Sequence, residues 1–201
     1  MFNIFSGGMY PDPVKPWGHY PFNNEKLVDL LSENHCPELL TGSGSAVNEH
    51  DFLAKFMSLL QPEAIDIIEI GTFLGLGTAL MASYSRSVLT FDITYRNSHH
   101  IWNLLEVEDR VNCFTGDQKY IDTTIRDIQF NPKFNFNFAF IDGQHKRENV
   151  IHDFELVKFC GRVLFHDANI PEIRSFIDKI GAVIVNEDSD EPAKFAYWED
   201  K

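Results

Sequence analysis

The sequence predicts an α/β fold, with a seven-stranded, mostly parallel sheet, helices on both of its faces and an antiparallel hairpin at the C-terminal end. From residue 64 onward, short apolar segments typical of buried strands alternate with longer segments of helical periodicity. Strands that follow one another through helices lie parallel and are covered on both faces. The last two strand candidates are joined only by a polar, acidic loop, which predicts antiparallel neighbours.

Each strand candidate is a short apolar run, and each helix candidate shows apolar residues at helical spacing. The strand candidates span residues 65–70, 88–91, 111–114, 136–141, 162–165, 182–185 and 194–198. The helix candidates span residues 25–32, 48–60, 78–85, 98–107, 120–128, 146–159 and 171–180. In the last helix, Pro171 suits the first turn, and Ile173, Phe176, Ile177 and Ile180 form the apolar face.

The 201 residues are enough for one compact domain with its own core. Within it, residues 64–201 are predicted to form the sheet domain. Residues 1–63 are predicted to form an N-terminal aromatic arm and helices that cover the site. Four prolines among residues 1–24 indicate an irregular segment. Its aromatic residues indicate that it lies against the domain, a pocket, or a second subunit in a homodimer; they are Phe2, Phe5, Tyr10, Trp17, Tyr20 and Phe22.

Charge and composition exclude several classes of partner. The chain has 30 acidic and 17 basic residues and a formal net charge of −13, which opposes binding to nucleic acid. No apolar run approaches the roughly 20 residues of a membrane span, and the N-terminus lacks the pattern of a signal peptide. The three cysteines show neither paired nor metal-type spacing. We therefore expect a cytoplasmic protein with reduced thiols and no membrane partner.

A glycine-rich loop follows the first strand of the alternation. Residues 68–78 read IEIGTFLGLGT, which places Gly71, Gly75 and Gly77 where ligands bind in open α/β sheets. The spacing Gly-x-x-x-Gly-x-Gly differs from the dinucleotide pattern Gly-x-Gly-x-x-Gly. Started at Gly75, that pattern places Leu80 where its third glycine belongs. The loop therefore disfavours a nicotinamide dehydrogenase.

The segment from Glu69 to Thr78 resembles the first motif of class I S-adenosylmethionine (SAM)-dependent methyltransferases, whose Rossmann-like sheet has seven strands. Three later motifs resemble the same family. Asp92 ends the second strand 21 positions after Gly71; the other two are FIDG at residues 140–143 and CGRVLFHD at residues 160–167. The resemblance covers residues 64–201, and Arg162 departs from it where a second glycine is usual.

The resemblance implies that SAM is the cofactor and identifies the residues that contact it. The glycine loop would lie against its methionine part, Asp92 would accept the ribose hydroxyls, and Asp142 would lie beside the transferred methyl group. Asp117 and Gln118 would lie at the adenine edge. The full set implied for cofactor binding is Glu69, Gly71, Thr72, Phe73, Gly75, Asp92, Ile93, Asp117, Gln118 and Asp142.

Two hypotheses describe the catalytic end of the site. In the first, Asp142, Asp167 and Asn169 hold Mg²⁺ or another divalent cation through oxygen atoms. This resembles catechol-type O-methyltransferases, although Ala168 stands where their asparagine follows the aspartate. In the second, His145 or His166 takes the proton of the acceptor without a metal. The pattern Asp142-Gly-x-His145 resembles small O-methyltransferases that act on sugars and secondary metabolites, and we favour His145 as the base.

The predicted function is SAM-dependent methyl transfer to an oxygen atom of a small-molecule acceptor, with His145, Asp142 and His166 as catalytic residues. The alternative is a non-catalytic module with the same fold that binds SAM or a partner. No long insertion within residues 64–201 forms a lid over the acceptor, which keeps this alternative open.

Overall fold

The computed structural model describes residues 46–60, 65–96, 98–186 and 194–200, with the side chains of residues 46–51 outside the described part. Its elements alternate along the chain as the periodicity predicts. In chain order they are α1 (Ala46–Leu59), β1 (Asp66–Ile70), α2 (Leu76–Ser83), β2 (Ser87–Asp92), α3 (His99–Leu104), β3 (Val111–Thr115), α4 (Gln118–Gln129), β4 (Phe138–Ile141), α5 (Arg147–Val157), β5 (Arg162–Phe165), α6 (Pro171–Ile180), β6 (Val183–Ile184) and β7 (Ala196–Glu199). Short 3-10 turns, Glu108–Arg110 and Lys158–Cys160, lead into β3 and β5.

The seven strands form one sheet in the order β3-β2-β1-β4-β5-β7-β6. Strands β1 to β5 pair in parallel, whereas β7 pairs antiparallel with both β5 and β6. The predicted fold class is therefore confirmed, including the C-terminal antiparallel pair. The chain moves outward to one side through β2 and β3 and then returns to the other side of β1 at β4. This reversal opens a crevice beyond the carboxyl ends of β1 and β4.

Several elements are shorter than predicted, and for α3 and β6 a local feature explains the difference. Helix α3 ends at Leu104 because Glu106 takes a left-handed φ of 56° soon afterwards. Strand β6 pairs over only two residues at the edge of the sheet, where Val183 is 65% exposed. Strand β7 begins at Ala196, two residues later than predicted. The helix predicted over residues 25–32 lies outside the described residues.

Two apolar layers cover the sheet, which explains why the parallel strands are apolar throughout. One layer includes α1 and α2, and the other includes α4, α5 and α6. The predicted apolar face of α6 is confirmed, since Ile173, Phe176 and Ile177 are buried and Ile180 packs against them. No helix in the described ranges is both long and apolar enough to cross a membrane.

Helix α1 belongs to the core of the sheet domain although it lies within the predicted N-terminal segment. Leu53 and Met57 are buried, and the Phe52 ring stacks on Phe195 at 4.7 Å between centroids. The boundary predicted between residues 63 and 64 and the aromatic arm of residues 1–24 both lie outside the described residues.

Candidate active site

The polar residues predicted for the site follow the carboxyl ends of neighbouring strands. Asp92 is the last residue of β2, Asp142 directly follows β4, and His166 and Asp167 directly follow β5. The glycine loop begins one residue after β1, so these groups share one edge of the sheet. Parallel strands end at the same edge, which is why residues far apart in sequence meet here.

Two glycines of the loop are required by close packing within the chain. Gly71 has φ of 104°, and a Cβ atom there would collide with the carbonyl group of Asp142. Gly75 has φ of 83°, and a Cβ atom there would lie 2.7 Å from both the Ser98 Cβ and the Trp102 Nε1. Contacts within the chain therefore already account for glycine at both positions, and the expectation that these glycines make room for a ligand stays a prediction.

The Asp92 carboxylate, at the end of β2, is hydrogen bonded to the glycine loop that follows β1. Its Oδ2 accepts a hydrogen bond from the Phe73 backbone N–H at 2.8 Å, and its Oδ1 accepts one from the Thr94 N–H at 2.8 Å. The neighbouring apolar side chains remain exposed, Phe73 by 59% and Ile93 by 51%. The guanidinium of Arg96 lies 5.0 Å from the centroid of the Phe73 ring. A carboxylate bordered by exposed apolar groups thus lies beside the glycine loop.

Asp117 and Gln118 have roles in α4, the helix that follows β3. Asp117 is its N-cap, and its Oδ1 accepts from the Tyr120 N–H at 2.8 Å. The Gln118 side chain donates to Asp122 at 2.9 Å. Both predicted adenine-edge side chains thus contribute hydrogen bonds to the start of this helix.

Two histidines and two aspartates form a cluster beyond β4 and β5. His145 Nδ1 contacts Asp167 Oδ2, forming an ion pair when the imidazole is protonated. His166 Nδ1 lies 3.0 Å from Asp142 Oδ1 and 3.1 Å from Asp167 Oδ2. His166 is largely buried, with its ring edge-on to Phe195 at 4.9 Å, whereas the His145 side chain is 47% exposed. The exposed imidazole is therefore the one of the two that a substrate can reach.

Electrostatics in this cluster favour an ionised Asp167. Burial opposes its charge, but hydrogen bonds from His145 and His166 hold the pKa of Asp167 well below its usual range. The hydrogen bond to Asp167 in turn raises the pKa of His145, against a smaller opposing effect of burial. Asp167 also takes a left-handed φ of 53°, uncommon for a residue other than glycine. Its carboxylate thus orients His145 through Nδ1.

Asp142, His166 and Asp167 each offer a ligand atom, all within 4.8 Å of one another. Asp142 and Asp167 belong to the predicted metal set, and His166 is a further donor beside them. The third predicted ligand, Asn169, accepts a hydrogen bond from the Lys194 backbone N–H at 3.1 Å through its Oδ1. Two carboxylates and an imidazole suit several divalent metals chemically.

A family model described as a methyltransferase domain matches residues 68–168, from within β1 to just beyond β5. The match covers half of the chain and includes the glycine loop, Asp92, Asp142 and Asp167. The chain belongs to this methyltransferase family. The resemblance to class I methyltransferases is thereby confirmed. A comparison with curated protein sequences gives no match.

Solved structures share the fold of this methyltransferase at low sequence identity. The O-methyltransferase of Bacillus cereus, solved with S-adenosylhomocysteine (SAH), is 19% identical, with a TM-score of 0.63 over 90% of this chain and 92% of that chain. The O-methyltransferase TomG of Streptomyces achromogenes, involved in tomaymycin synthesis and solved with SAM, is 16% identical, with a TM-score of 0.58 over 89% of each chain. An rRNA methylase of Streptococcus thermophilus is 16% identical, with a TM-score of 0.54 over 76% of this chain and 93% of that chain.

Several residues beside the site of this methyltransferase were not predicted from the sequence. Trp102 and Ser98 of the segment around α3 contact the glycine loop, and Thr78 and Thr90 lie around Glu69. Asp153 of α5 is buried beneath Gly143, where burial raises its pKa to about 6. Apart from Thr78, which ends the first motif, these residues carry no motif or spacing that sets them apart, because each reaches the site from a segment whose position depends on the fold.

Glu69, the last residue but one of β1, is fully buried next to the glycine loop. Thr78 Oγ1 donates to its Oε2 at 2.5 Å, and above it the hydroxyls of Thr72 and Thr90 are hydrogen bonded at 2.5 Å. Burial raises the pKa of Glu69 to about 8, despite hydrogen bonds from Thr78 and Thr90 that lower it. The nearby charges of Asp142 and Asp92 raise it further. Glu69 is therefore largely protonated in the ligand-free protein near neutral pH.

We expect Glu69→Gln to remove a pH dependence of folding stability. The folded chain keeps a proton on Glu69 that the unfolded chain releases above its ordinary pKa of 4.5. The free energy of unfolding contributed by this group therefore falls as the pH rises from 4.5 to about 8. Between pH 5 and 8.5 the variant should gain stability relative to wild type by a few kcal/mol, about 1.4 kcal/mol per pH unit. Urea unfolding of both ligand-free proteins at several pH values measures the difference.

Asp153 titrates in both proteins, so its contribution cancels from the comparison. Parallel pH profiles for wild type and Glu69→Gln would show that Glu69 is not held protonated by the fold.

Proposed function

We propose that this methyltransferase transfers a methyl group from SAM to an oxygen atom of a small-molecule acceptor, such as a sugar or secondary metabolite. The pairing of exposed His145 with Asp167, next to Asp142 at the carboxyl edge of the sheet, carries the proposal. An imidazole oriented through one nitrogen is suited to take a proton at the other. The two O-methyltransferases that share the fold, from Bacillus cereus and Streptomyces achromogenes, support an oxygen acceptor.

The residues around the glycine loop fit a sulfonium nucleoside. SAM supplies an electrophilic methyl group bonded to a positively charged sulfur. The carboxylates of Asp92 and Asp142, at the ends of neighbouring strands, give this edge an acidic character that suits a cation. The Asp92 carboxylate oxygens each have a further lone pair with which to accept a ribose hydroxyl. The exposed Ile93 and Phe73 provide apolar surface for a base or sugar.

His145 is the proposed general base. Its Nδ1 faces Asp167, which leaves Nε2 to take the proton from the acceptor hydroxyl as the new oxygen–carbon bond forms. His166 lies between Asp142 and Asp167 and is proposed to hold both carboxylates in place. Most of the rate enhancement would come from holding the acceptor oxygen in line with the methyl group.

A divalent cation, such as Mg²⁺, held by Asp142, Asp167 and Asn169 or His166 is the second arrangement that these residues support. The three ligand atoms within 4.8 Å favour it. A bound cation would bring vicinal hydroxyls of the acceptor together and lower their pKa. Methyl transfer measured before and after exhaustive chelation separates the two arrangements, since a base acting alone retains full activity.

The aromatic arm of residues 1–24 is proposed to cover the acceptor. Helix α1 starts near the site: Phe52 contacts Phe195 at the carboxyl edge, and one turn later Phe56 lies 6.4 Å from Phe138, the first residue of β4. The first described residue of α1, Ala46, therefore lies at the end of the helix that faces the site. Exposed Phe73, Ile93, Tyr95 and Tyr120 offer apolar surface there. An arm exchanged between two copies of the chain would make the same contacts within a homodimer.

We expect Asp92→Ala to abolish measurable binding of SAH in titration calorimetry. The variant removes the carboxylate that would accept both ribose hydroxyls, and charge-assisted hydrogen bonds contribute about 1.5–3 kcal/mol each. Losing two of them weakens binding by roughly 100-fold or more. The control is Asp109→Ala, an exposed carboxylate before β3 whose side-chain partner among the described residues is Arg110, at 4.0 Å.

Two outcomes contradict parts of the proposal. Unchanged SAH affinity in Asp92→Ala removes Asp92 as the ribose ligand, and no SAH binding by wild type removes SAM as the cofactor. Normal SAH binding without methyl transfer to any hydroxyl acceptor, including after deletion of residues 1–24, favours the non-catalytic module. If the arm covers the acceptor, its deletion lowers methyl transfer more than SAH affinity.

A further inference from the structure

The glycine loop has a backbone that needs support from outside the loop. Three of its five residues from Gly71 to Gly75 have positive φ, namely 104° at Gly71, 46° at Phe73 and 83° at Gly75. Phe73 is not a glycine, so its left-handed conformation costs roughly 1–2 kcal/mol. Within the loop, one backbone hydrogen bond, from the Gly75 N–H to the Thr72 carbonyl at 2.8 Å, closes a turn. The neighbouring segment around α3 supplies further contacts.

Two side chains of that segment donate to carbonyl groups of the loop. The Trp102 indole Nε1–H donates to the Gly75 carbonyl at 3.0 Å, and the Ser98 hydroxyl donates to the Phe73 carbonyl at 3.1 Å. The Trp102 side chain is fully buried. The Gly75 carbonyl also accepts the Ala79 N–H at 3.0 Å as α2 begins, so the indole uses its second lone pair.

The indole also touches the loop sterically. A Cβ atom on Gly75 would lie 2.7 Å from the Trp102 Nε1, so the ring sits directly against the loop backbone. The same loop donates the Phe73 N–H to Asp92 at the end of β2. The segment that follows β2 therefore holds the glycine loop at two carbonyls, while the end of β2 holds it at two N–H groups, that of Gly71 through the Phe91 carbonyl and that of Phe73 through Asp92.

We propose that Trp102 is a positioning residue for the cofactor. The indole N–H of Trp102 fixes the glycine loop at Gly75 in the conformation that binds SAM, and the Ser98 hydroxyl acts in the same way at Phe73. This inference rests on the proposed function. The loop and the Asp92 carboxylate together form the cofactor side of the site, so their relative position depends on these contacts. Trp102 itself touches neither the acceptor nor the reacting atoms.

The test is Trp102→Phe, which keeps an aromatic ring in the core and removes the indole N–H. A net hydrogen bond contributes about 1–1.5 kcal/mol, so the SAH dissociation constant and the KM for SAM should rise about tenfold. At saturating SAM, kcat and the KM for the acceptor should stay within about twofold of wild type. Ser98→Ala should shift the same two constants in the same direction by a smaller factor.

The matched control is Trp198→Phe. Trp198 lies on β7, where its ring is edge-on to Phe154 at 5.0 Å, and it is partly buried in the opposite apolar layer. The same substitution there should leave the SAH affinity and both KM values unchanged. Melting temperatures of both variants show how much each change affects the fold alone.

The test compares the change in the KM for SAM with the change in kcat. A general loss of folding would lower the active fraction, and with it the apparent kcat, but would leave both KM values unchanged. Wild-type SAH affinity in Trp102→Phe overturns the inference, as does a loss confined to kcat. If Trp102→Phe does not fold, Ser98→Ala decides alone: unchanged SAH affinity in it overturns the inference. Absence of SAH binding by wild type instead refutes the proposed function.

Discussion

Gly71→Ala should destabilise the protein by about 2–5 kcal/mol and abolish the site. The position combines a left-handed φ of 104° with direct contact to the backbone of Asp142 and Gly143. The conformation alone costs alanine roughly 1–2 kcal/mol, and overpacking adds roughly 1–3 kcal/mol because strand-end backbone cannot move aside cheaply. Urea unfolding measures the loss of stability, and SAH binding measures the loss of the site.

Gly181→Ala and Gly161→Ala are matched controls for this prediction. These glycines also have positive φ, 75° and 76°, but a Cβ atom at either would meet nothing within 4 Å. Each control therefore measures the cost of the left-handed conformation without the collision. If Gly71→Ala unfolds with the same free energy as Gly181→Ala, the close packing of the loop on β4 is not a constraint.

His145→Gln should lower kcat by roughly 10²–10⁴-fold while leaving the SAH dissociation constant within about twofold of wild type. Glutamine keeps a polar side chain of similar reach and cannot accept a proton at neutral pH. The residue is exposed after β4, so the substitution should leave folding stability nearly unchanged. Steady-state methyl transfer at saturating SAM, together with SAH calorimetry, separates loss of the base from loss of cofactor binding.

His152→Gln is the control, since it changes a second histidine that is paired with an aspartate. His152 Nε2 lies 3.0 Å from Asp122 Oδ1, between α5 and α4 and outside the described cluster of the site. Its variant should retain wild-type kcat. Normal turnover in His145→Gln would refute His145 as the base and leave His166 or a bound cation to activate the acceptor.

The order and type of the elements were largely predictable because they depend on local patterns. The apolar runs that form β1, β4 and β5 and the helical periodicity of α6 are properties of a few neighbouring residues. Element ends were less predictable. Helix α3 ends where Glu106 turns left-handed, and β6 is short because the edge of the sheet pairs only two of its residues. Both depend on neighbours that periodicity does not reveal.

The aspartates at the ends of the strands were predictable parts of the candidate site, whereas the contacts that surround them were less predictable. Asp92, Asp142 and Asp167 follow apolar strands, and parallel strands end at one edge, so their convergence follows from the chain order. The pairing of His145 with Asp167 rather than with Asp142 does not follow, since two loops had to meet in one geometry. Nor does the position of His166 beside both carboxylates, 3.0 Å from Asp142 and 3.1 Å from Asp167.

By itself, the sequence determined the α/β architecture, the edge at which the polar residues gather and the family to which the chain belongs, since all three follow from the order of short-range patterns. Only the tertiary structure decided why Gly71 and Gly75 must be glycines, that Trp102 reaches the loop and that Glu69 is held protonated. Collision, burial and desolvation depend on which distant atoms surround a group, and those neighbours exist only once the chain has folded.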